Sequence, residues 1–367
     1  MRVLLVSPRF APSVGGIETF TADLARWLAE RSIEVSVLTK TPAERGFDRS
    51  RPYEVVRTAS IAKLVAAARA ADVVHVKAIS AVAVAAARVA GRRPVVTHGT
   101  HQVLCPAGIA WGRGATCTAT AKSPGPCSVC PKQGQSGWTK VRLLRRAAAF
   151  AASNVVPSEF LLERLGVPRS LVIPNPVASD AFAAFDGRSP VRGLVAHVGR
   201  LGEAKGLDLL LAAIARIPSA RLEVAGDGPM RDRLEARADS LGLQERVTFR
   251  GEQDRAGVLE LLGRAAVACV PSLCDETFGY TAAEAMAAGV PLVVTPRGAL
   301  RELAGDGRGW VANDMAPASL AEALEHALTD EPEARRRAEV ARSHAVAEYR
   351  DDAVGERYLA AYARARS

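Results

Sequence analysis

Two carboxylates separated by seven residues stand in the stretch Pro271-Ser272-Leu273-Cys274-Asp275-Glu276-Thr277-Phe278-Gly279-Tyr280-Thr281-Ala282-Ala283-Glu284. Glu276 falls in a loop running from Pro271 to Thr277, and Glu284 falls in the helix that follows. Gly289 stops that helix, and Pro291-Leu292-Val293-Val294 reads as a buried strand. The first helical turn is small and glycine-bearing. A helix N-terminus has unpaired amides and a partial positive charge, so it favours an anion. Carboxylates beside it would repel a bare phosphate, but they suit a ligand with hydroxyls around a phosphate core, which a sugar nucleotide is.

Other residues have compatible chemistry. Gly199-Arg200-Leu201 and Lys205-Gly206-Leu207-Asp208 put two cations five residues apart in a loop opening onto a helix. Such a pair suits a diphosphate and neutralises charge growing on a leaving group. Gly15-Gly16-Ile17-Glu18 follows the first strand and opens the first long helix, where glycines let a backbone approach a phosphate. Thr97-His98-Gly99-Thr100-His101 ends the fifth strand, and carboxyl ends of parallel strands line a ligand crevice. Each feature also has a plain structural reading: an exposed cationic loop, a turn, a buried histidine. For Asp227, in the turn Gly226-Asp227-Gly228-Pro229, the structural reading is accepted.

The Glu-Xaa7-Glu spacing before Ala-Met-Ala-Ala-Gly-Val-Pro resembles the signature of the family 4 retaining glycosyltransferases, whose fold is GT-B. Gly-Arg-Leu…Lys-Gly-Xaa-Asp is similar to a second family motif, and the likeness runs from about Val3 to Ala312. The resemblance implies a role for each matching position. Gly15 and Gly16 face the donor diphosphate, and Arg200 and Lys205 hold it. His98 lies near the donor sugar, whose hydroxyls Glu276 contacts. Arg250 and Gly251 belong to the segment lining the nucleobase pocket. Amides of Phe278, Gly279 and Tyr280 face phosphate or sugar, and Glu284 binds the ribose. Catalysis is expected of His98, Arg200, Lys205 and Glu276. Many family members have Gly where this chain has Thr277, which bears on the loop's close backbone contact. His101 has no family counterpart.

The elements that must position these residues alternate strand and helix. Strands are expected at Val3–Ser7, Glu34–Thr39, Val55–Arg57, Val73–Val76 and Pro94–Thr97, then again from Gly193–Val198 to Ala266–Val270. The fold class is α/β. With the resemblance, it is GT-B: two doubly wound Rossmann-like domains facing a cleft. The domains are residues 1–180, on the acceptor side and carrying a Cys-rich loop at 99–137, and residues 190–348, binding the nucleotide sugar. Residues 349–367 form a C-terminal helix crossing back to the first domain. Ser179–Pro190 reads as a linker.

Four of the six cysteines, Cys105, Cys117, Cys127 and Cys130, lie in that irregular loop, and Cys127-Ser128-Val129-Cys130 has metal-ligand spacing. A structural zinc is expected there, with free or redox-active thiols as the rival and Fe–S ligation third; the loop is expected to shape acceptor entry. No Asp-Xaa-Asp occurs, and Arg200, Lys205 and the helix terminus can supply the charge of a metal, so no cofactor is expected for catalysis.

Residues 1–180 hold 24 Lys and Arg against 11 Asp and Glu, while the whole chain carries +9. This basic half suits an anionic partner such as an acidic membrane surface, a phosphorylated acceptor or nucleic acid, or serves solubility alone. No export signal or membrane-spanning run is read, so the expected location is cytoplasmic, with peripheral membrane contact. The expected activity is retaining transfer from a nucleotide-diphosphate sugar to a hydroxyl of a lipid, glycan or small molecule. A sucrose-phosphate- or trehalose-type synthase is the alternative on the same scaffold. A zinc-dependent nucleic-acid-binding protein is the alternative from another class, which the 5% aromatic content disfavours.

Overall fold

The computed structural model describes residues 1–13, 16–112, 114–117, 135–183 and 189–366. The chain forms two compact units, Met1–Ala110 with Cys117–Pro176 and Asp351–Ser367, and Trp111–Thr116 with Val177–Arg350.

The first unit begins β1 (Arg2–Ser7), α1 (Gly16–Glu30), β2 (Glu34–Thr39), β3 (Glu54–Arg57), α2 (Ile61–Ala70), β4 (Val73–Lys77), α3 (Ala81–Val89) and β5 (Val95–Thr97). Two short strands, β6 (Trp111–Gly112) and β7 (Ala115–Thr116), form a hairpin that groups with the second unit. The first unit resumes with α4 (Gln135–Phe150), β8 (Ser153–Val156), α5 (Glu159–Leu165) and β9 (Ser170–Val172). Seven strands make one parallel sheet in the order β3-β2-β1-β4-β5-β8-β9. Helices cover both faces, which is why β4 and β8 are buried at every position and do not alternate. Ser60, Ser80 and Ser158 cap α2, α3 and α5 by accepting from the amide three residues on.

The second unit runs α6 (Ser179–Ala183), β10 (Val191–Val198), α7 (Leu207–Ile214), β11 (Arg221–Ala225), α8 (Arg231–Ser240), β12 (Val247–Gly251), α9 (Arg255–Arg264) and β13 (Ala265–Val270). Then follow α10 (Tyr280–Ala287), β14 (Leu292–Val294), α11 (Leu300–Ala304), β15 (Trp310–Val311), α12 (Pro317–Thr329) and α13 (Glu331–Glu348). Its sheet is also parallel, in the order β12-β11-β10-β13-β14-β15. Strand order reverses between β1 and β4 in one sheet and between β10 and β13 in the other. The carboxyl ends of those four strands therefore flank two topological switch points.

Two expectations need correction. The stretch read as linker opens with a helical turn, α6, because Ala181 and Phe182 are buried against the core that α10 helps build. The β6–β7 hairpin was not foreseen, since two-residue strands are too short to show a period.

The last helix, α14 (Asp351–Arg366), packs within the first unit against α1. The Trp27 Nε1–H donates to Asp352 Oδ1 at 2.7 Å. Tyr358 and Tyr362 are wholly buried, and their hydroxyls meet Thr97 Oγ1 at 3.1 Å and His75 Nδ1 at 2.7 Å. His75 Nε2 completes the network on Thr97 Oγ1 at 2.7 Å. Gly355 lies flat on Trp27, so close that a Cβ there would stand 2.4 Å from the indole ring. Among the described residues, no helix is long and apolar enough to cross a membrane.

Overpacking at that contact is the sharpest test of how α14 is held. Gly355→Leu is expected to cost about 1–3 kcal/mol, read as a lower thermal midpoint. Glu356→Leu, one position along and exposed, is expected to leave the midpoint unchanged.

Candidate active site

At the switch point of the second unit, the loops after β10, β11 and β13 brace one another through glycines. The Gly199 amide donates to Ala225 O and the Leu201 amide to Asp227 O, both at 2.9 Å. A Cβ on Gly226 would lie 2.0 Å from Gly199 O, and one on Gly206 would lie 1.9 Å from Pro271 O. Only glycine permits those approaches. Arg200 sits in this turn with an exposed side chain that pairs with no carboxylate among the described residues.

Lys205 closes a single 3₁₀ turn, Glu203–Lys205, just before α7. Its Nζ donates to Glu276 Oε1 at 2.7 Å, and Ser272 Oγ donates to the same oxygen at 2.7 Å. Burial disfavours the Lys205 ammonium, but the Glu276 carboxylate outweighs it and the net shift is upward. Lys205 is therefore a cation throughout the neutral range. The Glu276 backbone is fixed by Gly298 (φ 58°), where a Cβ would meet Glu276 O at 2.4 Å, and by the Ala299 amide donating to that oxygen at 2.9 Å. Gly298 therefore packs directly on the backbone of the residue before Thr277.

Gly279 (φ 88°) caps α10, and a Cβ on it would meet the Leu300 and Leu303 side chains at 2.9 and 3.0 Å. Phe278 is buried, edge-on to Tyr280 and Tyr349 at 5.1 and 5.5 Å. Thr281 Oγ1 donates to Val198 O at 3.2 Å, tying the first turn of α10 to the end of β10. Arg200, Lys205, Glu276 and the amide end of α10 consequently share the carboxyl edge of one sheet. The β6–β7 hairpin abuts the same loops: Thr116 Oγ1 donates to Leu273 O at 3.4 Å, and a Cβ on Gly114 would lie 3.5 Å from Glu203 Oε1.

Glu284, one turn into α10, is held by the Arg255 guanidinium, which also grips Asp180 at 2.7 Å. Burial pushes the Glu284 carboxyl up and Arg255 opposes this; the net direction is upward. The hydrogen bond from Arg255 holds Asp180 down. Sequence reading missed Arg255, because nothing local links positions 180, 255 and 284.

The Arg250 side chain is taken up inside the fold, while the expectation for this segment concerned its backbone. Its guanidinium pairs with Glu223 at 2.5 Å and reaches Glu260 at 3.4 Å, joining β11, β12 and α9. Both partners of the shorter pair are mostly buried, so this side chain is committed to the sheet and is not offered to a ligand. Gly251 (φ 73°) lies at the strand end and accepts from the Gly226 amide at 2.7 Å.

In the first unit, Gly16 opens α1 and is exposed, while Gly15 lies outside the described residues. His98 is 2% exposed, with Nε2 on Asn154 Oδ1 at 2.8 Å. The Asn154 amide nitrogen donates to Ala148 O and Pro168 O, which fixes its oxygen as the acceptor. His98 Nε2 must then carry the proton, leaving Nδ1 as a lone pair. Burial lowers the His98 pKa to about 4, with Lys77 adding to burial and the Asn154 bond opposing it. This imidazole is neutral at pH 7.

Lys77, the last residue of β4, is a second group that sequence reading missed. It is 4% exposed, its Nζ stands 3.3 Å over the Phe20 ring, and no carboxylate among the described residues pairs with it. Burial lowers its pKa from 10.5 to about 7. The strand end next to a switch point could have pointed to it; an isolated lysine in an apolar strand carries no other signal.

Of the four loop cysteines, Cys127 and Cys130 lie outside the described residues. Cys105 and Cys117 are buried together with Ala110. A hydrogen bond from Cys117 lowers the Cys105 thiol, burial opposes it, and the amides of Gly108, Ala107 and Ala110 lower it further. No group of three or more His, Cys, Asp or Glu gathers as a metal site among the described residues. Burial and Glu276 push the Cys274 thiol up to about 11, so it is protonated at neutral pH. Cys269 is buried in the core.

Comparison with known proteins bears on the family and the fold. Residues 14–181 match the family model described as Glycosyltransferase Family 4, and residues 186–344 match Glycosyl transferases group 1. Both halves of the chain are therefore glycosyltransferase domains. A D-inositol 3-phosphate glycosyltransferase of Mycobacterium sp. (strain JLS) is 36% identical over 194 residues, covering 51% of this chain and 43% of that one. A GDP-mannose-dependent alpha-(1-6)-phosphatidylinositol dimannoside mannosyltransferase of Mycobacterium tuberculosis is 38% identical over 163 residues, covering 41% of each. The chain thus spans less than half the length of these curated relatives. The crystal structure of Anabaena Alr3699/HepE in complex with UDP superposes with a TM-score of 0.78 at 20% identity, covering 99% of this chain and 100% of that one. The fold is GT-B.

Lys77 gives a pH test. A base whose folded pKa is depressed destabilises the fold fully below the folded value, and the cost fades as pH rises towards the unfolded value. Lys77→Met is therefore expected to raise the thermal midpoint at pH 6–7, with the gain shrinking steadily from pH 7 to pH 10. A pH-independent difference would refute the uncompensated buried charge.

Proposed function

We propose that this chain is a retaining glycosyltransferase that moves a sugar from a nucleotide-diphosphate donor to a hydroxyl of an acceptor carrying an anionic group. The observation that carries the donor half is the Lys205–Glu276–Ser272 cluster beside Arg200 at the switch point of the second unit. A diphosphate arriving there meets two cations and the amide end of α10. Lys205 exchanges the Glu276 carboxylate for phosphate oxygens, and Glu276 is released to accept from sugar hydroxyls. As the glycosidic C–O bond breaks, charge grows on the departing phosphate, where Arg200 and Lys205 already stand. The same phosphate accepts the proton of the incoming hydroxyl on that face, so configuration is retained. The two cations take the part a catalytic metal would otherwise play, so transfer needs none.

His98 contributes as a neutral acceptor through Nδ1, oriented by Asn154. Glu284, with its proton affinity raised, suits ribose hydroxyls and is positioned by Arg255.

The anionic acceptor rests on Lys77. A buried ammonium without a counter-ion is unfavourable, and a phosphate-bearing acceptor would supply one. Both relatives named above act, by name, on phosphorylated inositols. A sucrose-phosphate- or trehalose-type synthase with a small sugar acceptor is the alternative on the same scaffold, and acceptor screening separates the two.

Cys105 and Cys117 are offered as half of a structural zinc site, with Cys127 and Cys130 as the rest. A thiol poised toward thiolate is the form that binds metal. About one equivalent of zinc is expected by metal analysis of the purified protein, falling several-fold in Cys105→Ser and in Cys117→Ser. Zinc below a tenth of an equivalent in the unmodified protein would dismiss it.

Transfer is tested with a panel of UDP-, GDP- and ADP-sugars and phosphorylated polyol acceptors, reading product anomer by NMR. Lys205→Ala and Glu276→Gln are each expected to lower kcat about 10²–10³-fold with unchanged thermal midpoints, and EDTA is expected to have no effect. An inverted product, or full activity in both variants, would overturn the reading.

A further inference from the structure

The charge of the first unit is not spread evenly. Between Asp72 and Glu159 the sequence holds eleven Lys and Arg and no Asp or Glu. Helices α3 and α4, which pack together, lie in this acid-free span.

Their solvent face is unusual in a second way. Val82 and Val89 on α3, and Leu143 and Phe150 on α4, are 48–64% exposed. Four of the ten large hydrophobic side chains most exposed among the described residues thus belong to one helix pair. Each pair follows helical spacing, seven residues apart, so it lies along one face. Arg142 and Arg146 stand exposed on the same face of α4.

A groove of about 330 Å³ lies beside this face, lined by Val84, Arg88, Arg92, Arg93, Pro94, Ala149 and Phe150. Its floor, Val84 and Pro94, is buried and apolar. The Arg88 guanidinium stands 4.3 Å over the Phe150 ring. Arg92 Nε is buried with no hydrogen-bond partner.

We propose that the α3–α4 face docks on an anionic lipid surface, with Arg88, Arg92 and Arg93 around a phosphate headgroup and Val89, Leu143 and Phe150 entering the boundary between headgroups and acyl chains. Cations ringing exposed apolar side chains, without a carboxylate, match both layers of such a surface. Nucleic acid would meet the arginines equally well. It would leave the valines and leucine with nothing to bury against, and stacking contacts would be limited to Phe150. This proposal stands apart from the reaction, because none of these residues belongs to the site above.

The test is co-sedimentation of the intact chain with vesicles of equal parts phosphatidylcholine and phosphatidylglycerol, beside vesicles of phosphatidylcholine alone. Retention is expected on the anionic vesicles only, with release at high salt. Arg142→Glu/Arg146→Glu and Leu143→Ser/Phe150→Ser are each expected to weaken retention more than about tenfold. The substituted side chains are exposed, so thermal midpoints should match the parent and separate lost docking from lost folding. No retention of the parent, equal retention of well-folded variants, or release by duplex DNA at low salt would each overturn the proposal.

Discussion

The 2.7 Å contact between the Lys205 ammonium and the Glu276 carboxylate joins two loops that are 71 residues apart in the chain. Each loop follows a strand at a reversal of sheet order, where the chain must turn away in opposite directions and leave a gap. Opposite charges bridge that gap without a ligand, and the glycines at 206 and 298 let the backbones close to contact. Because Lys205 is 40% exposed, solvent screens the pair, and its worth to stability is small. The contact matters because it is exchangeable. Neither group needs to be created or desolvated when an anion replaces the carboxylate, so both are already aimed where they act.

The first unit follows the opposite rule. Its chemistry-bearing groups at the sheet edge are buried, and burial sets their charge. His75 and His98 are pushed down to about 3 and about 4, so both rings are neutral hydrogen-bonding groups. His75 then serves α14, joining Tyr362 to Thr97, while His98 is tautomerically fixed by Asn154. Lys77, on the strand that carries His75, has no such outlet. A closed polar network beside a buried lysine that lies on the Phe20 ring and pairs with no carboxylate among the described residues separates what holds the unit together from what remains available to a ligand.

How much of this was legible depends on the range over which each signal acts. Parallel sheets covered on both faces write themselves as apolar runs, so β1, β4, β10 and β13 could be read directly. The motif around Glu276 is local too: loop, glycine cap and helix follow in order. Arg255 was invisible because its partners at 180 and 284 meet it only after α6, α9 and α10 have packed. The ion pair of Arg250 was invisible for the same reason. In sequence the residue is a cation at a strand end near a nucleotide motif. In space, Glu223 on the neighbouring strand takes it first: Arg250 lies where the β11–β12 register shifts, two residues beyond Thr248, the register partner of Glu223. The close approach to the Glu276 backbone was not legible either, since the glycine that makes it, Gly298, arrives from a different loop.

The same distinction governs what net charge can mean. In the second unit, Arg231, Arg250, Arg255, Arg264 and Arg337 all have carboxylate partners within reach. Their charge is consumed by the fold and projects little field. On α3 and α4 no carboxylate is available nearby in sequence, and Arg88 turns instead to the face of Phe150. An arginine stacked on an exposed ring keeps its full charge and holds an apolar surface beside it. The overall excess of positive charge therefore understates the contrast between the units. What decides a partner is whether a cation has already been answered inside the protein: along this helix pair Arg145 reaches the carbonyls of Val103 and Leu165, while Arg88, Arg142 and Arg146 pair with no carboxylate among the described residues.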